Sequence, residues 1–387
     1  MKIAWFSPIG QSSNSKGALY SQSVLPELAQ RHEITVVVDD KSYCDIGEAA
    51  TYLGLKVLIL HQALNLDLKA KFDAFVYQIE SNPGSAWTPF FQAEVMPGVL
   101  VVHDFPIDTV PLSAAAMVFN APAAHGIRAR GFTGYIGQTA MPWIVAESKG
   151  FPDTECFRLG LCGLPERNNR FYVLRNALEN ILQSEWGANQ EFEITWIARS
   201  EAEEREIEAL ISACATKIVI KSVLIKDRLQ RYSEIQNFSL YSALCLDTRH
   251  SLDPEVYAAV AAGVPVLCAD FGPSADLPRE LVFKIRLGLS EVREVENVIQ
   301  ALQDVRIDRK DLQQAGKRYL ELFHDTKSVV ADLERVLEKT AQLQTQLADQ
   351  RRSQQQAARA ELIKTVFGES FDRSLWYAET VRDFSWI

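Results

Sequence analysis

Residues 2–40, KIAWFSPIGQSSNSKGALYSQSVLPELAQRHEITVVVDD, contain a strand, a loop, a helix and a second strand. Lys2–Ser7 is short and mostly apolar, which is typical of a buried strand. A loop rich in Gly, Ser and Asn runs from Pro8 to Gly17, and Ala18–Gln30 has apolar residues at helical spacing. The β-branched run Ile34–Val38 predicts the second strand. Because a helix joins two buried strands, the sheet is predicted to be parallel.

The same alternation of strands and helices continues to about residue 330 and forms two similar halves. It predicts an α/β fold with two doubly wound Rossmann-like domains, residues 1–150 and 151–330, that face a central cleft. Residues 131–157 have no clear period and are predicted to cross between the domains. The further strand candidates are Leu55–Leu60, Phe72–Gln78, Val99–His103, Ala116–Asn120, Phe157–Cys162, Phe192–Ala198, Lys217–Val223, Leu240–Leu246 and Val264–Ala269.

Residues 331–387 form a different kind of segment. Val329–Leu362 has no Pro or Gly, and its apolar residues follow 3–4 spacing as far as Leu347. This pattern predicts a helical tail that either packs back on the N-terminal domain or mediates homo-oligomerisation as a short coiled coil. The aromatic end, Phe371–Ile387, is predicted to dock on a surface.

Charge and composition exclude several functional classes. The chain has 387 residues, with 40 Lys and Arg against 50 Asp and Glu, so its net charge of −10 argues against nucleic-acid binding driven by bulk charge. The same balance opposes broad adhesion to anionic lipid. No signal peptide or transmembrane run is evident, and the six cysteines are scattered, so we expect a cytoplasmic protein with reduced thiols.

Four segments of the chain follow one another in a recognisable order. They are the opening unit from Trp5 to Ala29, the strand end Gly98–Phe105, the basic segment Pro165–Arg170 and the segment Ala259–Leu267. Together they resemble bacterial GT-B-fold glycosyltransferases, and most closely family four, whose members are retaining and use nucleotide-sugars. The resemblance spans roughly residues 1–330.

This resemblance implies an enzyme that moves a sugar from a nucleotide-sugar donor to a glycan, a lipid-linked glycan or a protein. The N-terminal domain would take the acceptor and the C-terminal domain the donor. The D-x-D metal motif of the other main glycosyltransferase fold is missing, which favours a mechanism without a metal. No G-x-G-x-x-G or P-loop occurs either, so no cofactor is expected.

The polar loop of residues 247–255 is predicted to hold the donor. In the family pattern two glutamates lie eight residues apart, but His250 and Ala258 occupy these positions, and Ser251 occupies a variant position. Asp253 and Glu255 lie nearby and can take over one contact. Capping of the following helix is the alternative role for Asp253.

A second departure lies in the N-terminal half. Glu80 stands where related enzymes have a glycine after a tyrosine-led strand. This change and the missing glutamates support a second hypothesis, a catalytically retired glycosyltransferase fold that acts as a binding or scaffolding subunit. Calorimetry with nucleotide-sugars distinguishes the two hypotheses.

Backbone amides and arginines are the candidates for the donor diphosphate. The loop that ends at Gly17 precedes a helix, and N–H groups at a helix start favour an anion, although an ordinary turn is the alternative. Arg167 and Arg170 flank two asparagines before another helix and are predicted to clamp phosphate oxygens. A solvated helix start is the alternative there. Arg199, which follows a strand, is a weaker candidate.

His103 and Asp104 end an apolar strand and are the candidate catalytic pair. The resemblance implies that His103 reaches the donor sugar near the diphosphate. In another interpretation His103 is a general base oriented by Asp104, which would fit an inverting enzyme. In a third, His103 is a core histidine paired with Asp104.

Overall fold

The structure is a computed structural model that describes residues 1–9, 15–38, 51–59, 71–80, 96–104, 113–143, 156–164, 170–184, 191–214, 218–244, 252–288, 290–304 and 309–367. Within these ranges the chain forms an eight-stranded sheet, a six-stranded sheet and a long final helix. The predicted α/β fold with two doubly wound Rossmann-like domains and a helical tail is confirmed.

The first sheet belongs to the N-terminal domain. Its strands are β1 (Lys2–Phe6), β2 (Glu33–Val38), β3 (Thr51–Tyr52), β4 (Leu55–Ile59), β5 (Ala74–Ile79), β6 (Val99–Val102), β7 (Ala115–Val118) and β8 (Tyr135–Gln138). Their order is β3-β4-β2-β1-β5-β6-β7-β8, and every pair except β3–β4 is parallel. The order reverses beside β1, so a crevice opens outside the carboxyl ends of β1 and β5.

The second sheet belongs to the C-terminal domain. Its strands are β9 (Cys156–Cys162), β10 (Glu191–Ala198), β11 (Val219–Leu224), β12 (Leu240–Ala243), β13 (Val266–Ala269) and β14 (Val282–Ile285). They are all parallel, in the order β11-β10-β9-β12-β13-β14. Here the order reverses beside β9, so the carboxyl ends of β9 and β12 border the matching crevice.

Helices cover both sheets and bury their apolar faces. The helices are α1 (Lys16–Leu28), α2 (Ala121–Ala129), α3 (Phe171–Leu182), α4 (Glu201–Ala213), α5 (Arg228–Ile235), α6 (Pro254–Ala262), α7 (Glu291–Asp304), α8 (Arg309–Phe323) and α9 (Thr326–Phe367). Trp5 on β1 and Trp196 on β10 are fully buried in the centres of the two domains. In the described part of the chain, no helix is both long enough and apolar enough to cross a bilayer.

Helix α9 returns to the N-terminal domain and packs on α1 and on strands β5 to β8. Val330, Leu333 and Leu337 are fully buried there. Farther along, the Gln344 side-chain carbonyl accepts a hydrogen bond of 3.0 Å from the Phe75 amide at the start of β5. Of the apolar residues at 3–4 spacing, Leu333 and Val336 are therefore buried on the domain, whereas Leu343 is 37% exposed.

Strand β8 lies inside residues 131–157, where the sequence pattern shows no period. It is a four-residue edge strand, which is too short to show alternation. Packing leaves no room for a side chain at Gly137 in this strand, since a Cβ there would come within 2.7 Å of Met117 Sδ and 2.8 Å of Val336 Cγ2. The glycine that weakens the strand signal thus allows α9 to approach the sheet.

Candidate functional site

The start of α1 lies at the carboxyl edge of the first sheet, where the carboxyl group of Glu80 binds to it. Ser15 is the N-cap, and its Oγ accepts a hydrogen bond of 3.0 Å from the Ala18 amide. The Ser15 hydroxyl donates to Glu80 Oε1 at 2.5 Å, and the Gly17 amide donates to Glu80 Oε2 at 3.4 Å. Glu80 is 2% exposed, so its carboxyl group occupies the positive end of the helix.

Lys16, in the first turn of α1, connects the two domains. Its Nζ lies 3.3 Å from Asp104 Oδ1 and 3.2 Å from Asp253 Oδ1. Asp104 follows β6 in the first sheet, and Asp253 is the N-cap of α6 in the second domain. The carboxyl edges of both sheets therefore meet at one ammonium group. Lys16 is not among the predicted site residues, although it lies beside Gly17 at the start of a predicted helix.

These ion pairs control the charge of the cluster. Burial by itself would lower the pKa of Lys16, but Asp104 and Asp253 outweigh burial, and the pKa lies above its ordinary value. Burial would likewise raise the pKa of Asp253, but Lys16 and Arg199 outweigh it, and the pKa lies below its ordinary value. Lys16 and Asp253 are therefore both charged at neutral pH.

His103 is enclosed at the end of β6. Its Nε2–H donates to Gln78 Oε1 at 2.8 Å, and its ring stacks on Phe119 with a centroid distance of 4.9 Å. Burial is the main cause that lowers the pKa of His103 to about 3, so the ring is neutral. The hydrogen bond to Asp104 assumed in two of the three interpretations is absent among the described residues, because Asp104 pairs with Lys16 and the ring pairs with Gln78.

Three buried polar atoms in this region have no hydrogen-bond partner within the described ranges. They are Tyr20 Oη, Gln78 Nε2 and His103 Nδ1. The Tyr20 and His103 rings lie edge to face with centroids 5.6 Å apart. Buried polar groups usually have partners, so these atoms mark a place where a hydroxyl group or a water molecule would be stabilised.

Arg199 stands at the carboxyl end of β10. Its guanidinium lies 2.9 Å from Glu203 Oε1. Burial by itself would lower the pKa of Arg199, but Cys162, Asp253, Glu255 and Glu203 together outweigh burial, and the pKa lies above its ordinary value. Gly163, after β9, makes room for it, because a Cβ at Gly163 would meet Arg199 Nη2 at 2.8 Å. Arg199 thus lies close enough to Asp253 to affect its charge.

Two other predicted donor contacts are held in ion pairs inside the C-terminal domain. Glu255 is 2% exposed and its Oε1 accepts from Arg231 Nε at 3.0 Å. Arg170 Nη2 donates at 3.1 Å to Oε1 of Glu294, which is 1% exposed on α7. Both pairs tie elements of one domain together, so the structure gives each residue a partner within the fold.

The remaining predicted residues, Arg167, His250 and Ser251, lie outside the described residues. Across the described ranges, no group of three or more His, Cys, Asp or Glu side chains is arranged to hold a metal ion. The donor contacts predicted for Gly17, Arg170, Arg199, Asp253 and Glu255 stay predictions.

Two Rossmann-like domains whose sheet edges face one cleft, followed by a helix that returns to the first domain, form the GT-B fold. Solved structures with this arrangement include Anabaena HepE in complex with UDP-glucose, with a TM-score of 0.64 and 12% identity over 88% of this chain and 100% of that chain. Sucrose-phosphate synthase from Thermosynechococcus elongatus has a TM-score of 0.65 and 12% identity over 88% of this chain and 98% of its own.

A glycosyltransferase from Rickettsia africae has a TM-score of 0.63 and 9% identity over 87% of this chain and 98% of its own. No protein-family model matches the chain, and no curated protein matches it significantly. The similarity thus concerns the fold. It gives no information on the side chains at the cleft.

Proposed function

We propose that the chain is a glycosyltransferase that moves a sugar from a nucleotide-sugar to a glycan, lipid-linked glycan or protein acceptor. The observation that carries this proposal is the meeting of Lys16, Asp104 and Asp253 between the two sheets. The GT-B similarity supports it, since HepE binds UDP-glucose. The family-four resemblance and the cytoplasmic location belong to the same proposal.

The roles of the charged residues follow from their places. Arg199 at the end of β10, together with Arg167, would stabilise the leaving diphosphate as its charge develops. Asp104 and Asp253, both paired with Lys16, would accept hydrogen bonds from sugar hydroxyls. Two arginines can supply the positive charge that a metal supplies elsewhere, which supports a metal-independent reaction.

His103 supports the retaining mechanism. A general base works best with a pKa near the working pH, and burial lowers the pKa of His103 to about 3. The neutral ring donates from Nε2 to Gln78, which leaves Nδ1 as an acceptor for a substrate hydroxyl. His103 would therefore position a sugar and would not remove a proton from the acceptor.

The test is turnover of nucleotide-sugars by purified, folded protein. Asp253→Asn is expected to lower kcat/KM for the accepted donor roughly 10- to 100-fold, as the loss of a hydrogen bond to a charged group predicts. Asp227→Asn is the matched control, because Asp227 is an N-cap in the same domain and Asn caps as well as Asp. If the folded protein neither hydrolyses nor transfers sugar from any common nucleotide-sugar, the proposal is wrong.

A scaffolding role is the second candidate. It is favoured by the internal pairing of Arg170 with Glu294 and of Glu255 with Arg231, which takes up charges predicted to bind the donor. In calorimetry, binding of no nucleotide-sugar at all would support this candidate, and binding of one would support the enzyme.

The oligomeric state stays a prediction. The first half of α9 is buried on the N-terminal domain. A second copy of the chain would therefore contact α9 beyond Gln344, if the helix mediates homo-oligomerisation. A change in mass per particle after deletion of residues 345–387 would support that role, and an unchanged mass would exclude it.

A further inference from the structure

We infer that Glu80 is a specificity-determining residue that fills the anion site at the start of α1, so that the substrate group at this end of the cleft is uncharged. The inference deepens the proposed function and rests on it in one respect, namely that the N-terminal side of the cleft receives the acceptor. Glu80 plays no part in the proposed chemistry, and the inference replaces the contact between Gly17 and the donor diphosphate that the sequence predicts.

The geometry of the helix start carries the inference. Amides at a helix start, with the positive end of the helix dipole, attract phosphate or carboxylate groups. Here the Gly17 amide donates to Glu80 Oε2 at 3.4 Å and the Ser15 hydroxyl donates to Oε1 at 2.5 Å. Glu80 is 2% exposed, so its carboxyl group lies inside the protein, where an incoming anion would have to displace it.

The surrounding charges act in the same direction. Lys16 is the cation in the first turn of α1, and its Nζ is already paired with Asp104 at 3.3 Å and Asp253 at 3.2 Å. Among the described residues, a phosphate that approached this helix start would thus meet three carboxyl groups beside one ammonium group. The negative charges of a phosphate and of these carboxyl groups repel one another, most strongly where water is excluded.

A neutral sugar suits the same surroundings. Hydroxyl groups can donate to carboxylates, and the buried atoms Tyr20 Oη and His103 Nδ1 lack partners within the described ranges. The group that the N-terminal side receives is therefore of the hydroxyl class, and phosphorylated groups are rejected by repulsion rather than by shape.

Inorganic pyrophosphate is the probe, and the Gly17 amide is the reporter. Pairing ¹³C-carbonyl lysine with ¹⁵N-glycine isolates Lys-Gly steps, which occur in this chain at Lys16–Gly17 and Lys149–Gly150. Lys149→Arg removes the second signal, so the remaining resonance belongs to Gly17.

In full-length protein that keeps Glu80, pyrophosphate is expected to leave the Gly17 resonance in place. In Glu80→Gly, which opens the helix start, the resonance is expected to shift with saturation at millimolar pyrophosphate or below. Glu33→Gln is the matched control for net charge, because Glu33 is exposed at the first residue of β2, and it is expected to behave like wild type.

Two results would overturn the inference: a shift of Gly17 in wild type at the same pyrophosphate concentration, or no shift in Glu80→Gly. If Glu80→Gly does not fold, Glu80→Gln keeps the volume without the charge and must shift at lower pyrophosphate than wild type. UDP binding is measured on the same samples. Its absence would count against the proposed function and would leave the result at Glu80 unaffected.

Discussion

The neighbours of His103 determine what this residue can do. Its ring lies between Tyr20 and Phe119, with 1% of its surface exposed, and burial lowers its pKa to about 3. Because Nε2–H donates a hydrogen bond to Gln78 Oε1, the neutral ring presents a lone pair at Nδ1. A histidine in this state can orient a hydroxyl group by accepting its hydrogen bond, and it is a poor proton acceptor at neutral pH.

The shifted pKa of His103 predicts a pH dependence of stability. The pKa falls from 6.5 in the unfolded chain to about 3 in the folded chain, so below pH 6.5 the unfolded state binds a proton that the folded state does not. His103 therefore does not lower the free energy of unfolding above pH 6.5. Below that pH the free energy of unfolding falls progressively as the pH approaches 3. The slope contributed by this residue approaches about 1.4 kcal/mol per pH unit.

Urea unfolding of wild type and His103→Gln from pH 7 to about pH 5 measures this contribution. The free energy of unfolding should fall more steeply in wild type, and the difference in slope isolates His103 from the other titrating groups. His125→Gln, at an exposed position on α2, is the control for the substitution itself. Equal slopes in wild type and His103→Gln would contradict the buried, neutral state.

Helix α9 is a part of the N-terminal domain's core, although it follows the C-terminal domain in sequence. It is about 63 Å long at 1.5 Å per residue. Its first half buries apolar residues on α1 and on the sheet, and Glu334 adds contacts of 2.9 Å to Arg31 and 2.8 Å to His32. The helix therefore closes the N-terminal domain and anchors the end of the C-terminal domain beside it.

Two leucines on α9 test this packing. Leu333→Ala is expected to lower the free energy of unfolding by about 2–5 kcal/mol, because Leu333 is fully buried and truncation leaves a cavity. Leu343→Ala, on the same helix, is expected to cost less than about 1 kcal/mol, since Leu343 is 37% exposed. Chemical denaturation measures both. A reversed order would contradict this packing.

Several contacts between described residues join the two domains, among them pairs at the chain crossings and at the cleft. The chain leaves the N-terminal domain after Trp143 and returns to it after His324, and we call these two places the chain crossings. There the His324 Nδ1–H donates to the Met141 carbonyl at 2.8 Å, and the Trp143 amide donates to the His324 carbonyl at 3.0 Å. At the cleft, Lys16 bridges Asp104 and Asp253. The crossings lie side by side and suit a hinge, while the cleft contacts hold the two sheet edges together.

Removal of the Lys16 charge is expected to open the cleft. In Lys16→Met, Asp104 and Asp253 face each other without the ammonium group that bridges them, and their repulsion favours separation of the domains. Small-angle scattering at low salt should show a larger radius of gyration than wild type, and about 1 M salt should reduce the difference by screening. Lys2→Met is the control, since the Lys2 side chain is 58% exposed on β1. An unchanged radius would show that other contacts hold the cleft.

Local periodicity in the sequence predicted most of the strands and helices. The elements with strong apolar patterns, such as β1, β2 and α1, were predicted within two residues of their bounds, because the spacing of apolar residues shows which side is buried. Strand β8 was not predicted, since a four-residue edge strand that contains glycine is too short to show an alternation of apolar and polar residues. The fold class followed from the order of elements, and the position of His103 and Asp104 followed from the end of a strand.

The sequence by itself therefore determined the two-domain α/β architecture and the sheet edges where a site belongs. Only the tertiary structure decided which partner each charged side chain takes: Lys16 with Asp104 and Asp253, and Glu80 with the start of α1. The physical reason is range. Secondary structure depends on residues a few positions apart, whereas these contacts join residues from 63 to 237 positions apart, as from Gly17 to Glu80 and from Lys16 to Asp253, and burial within the assembled domains determines their strength.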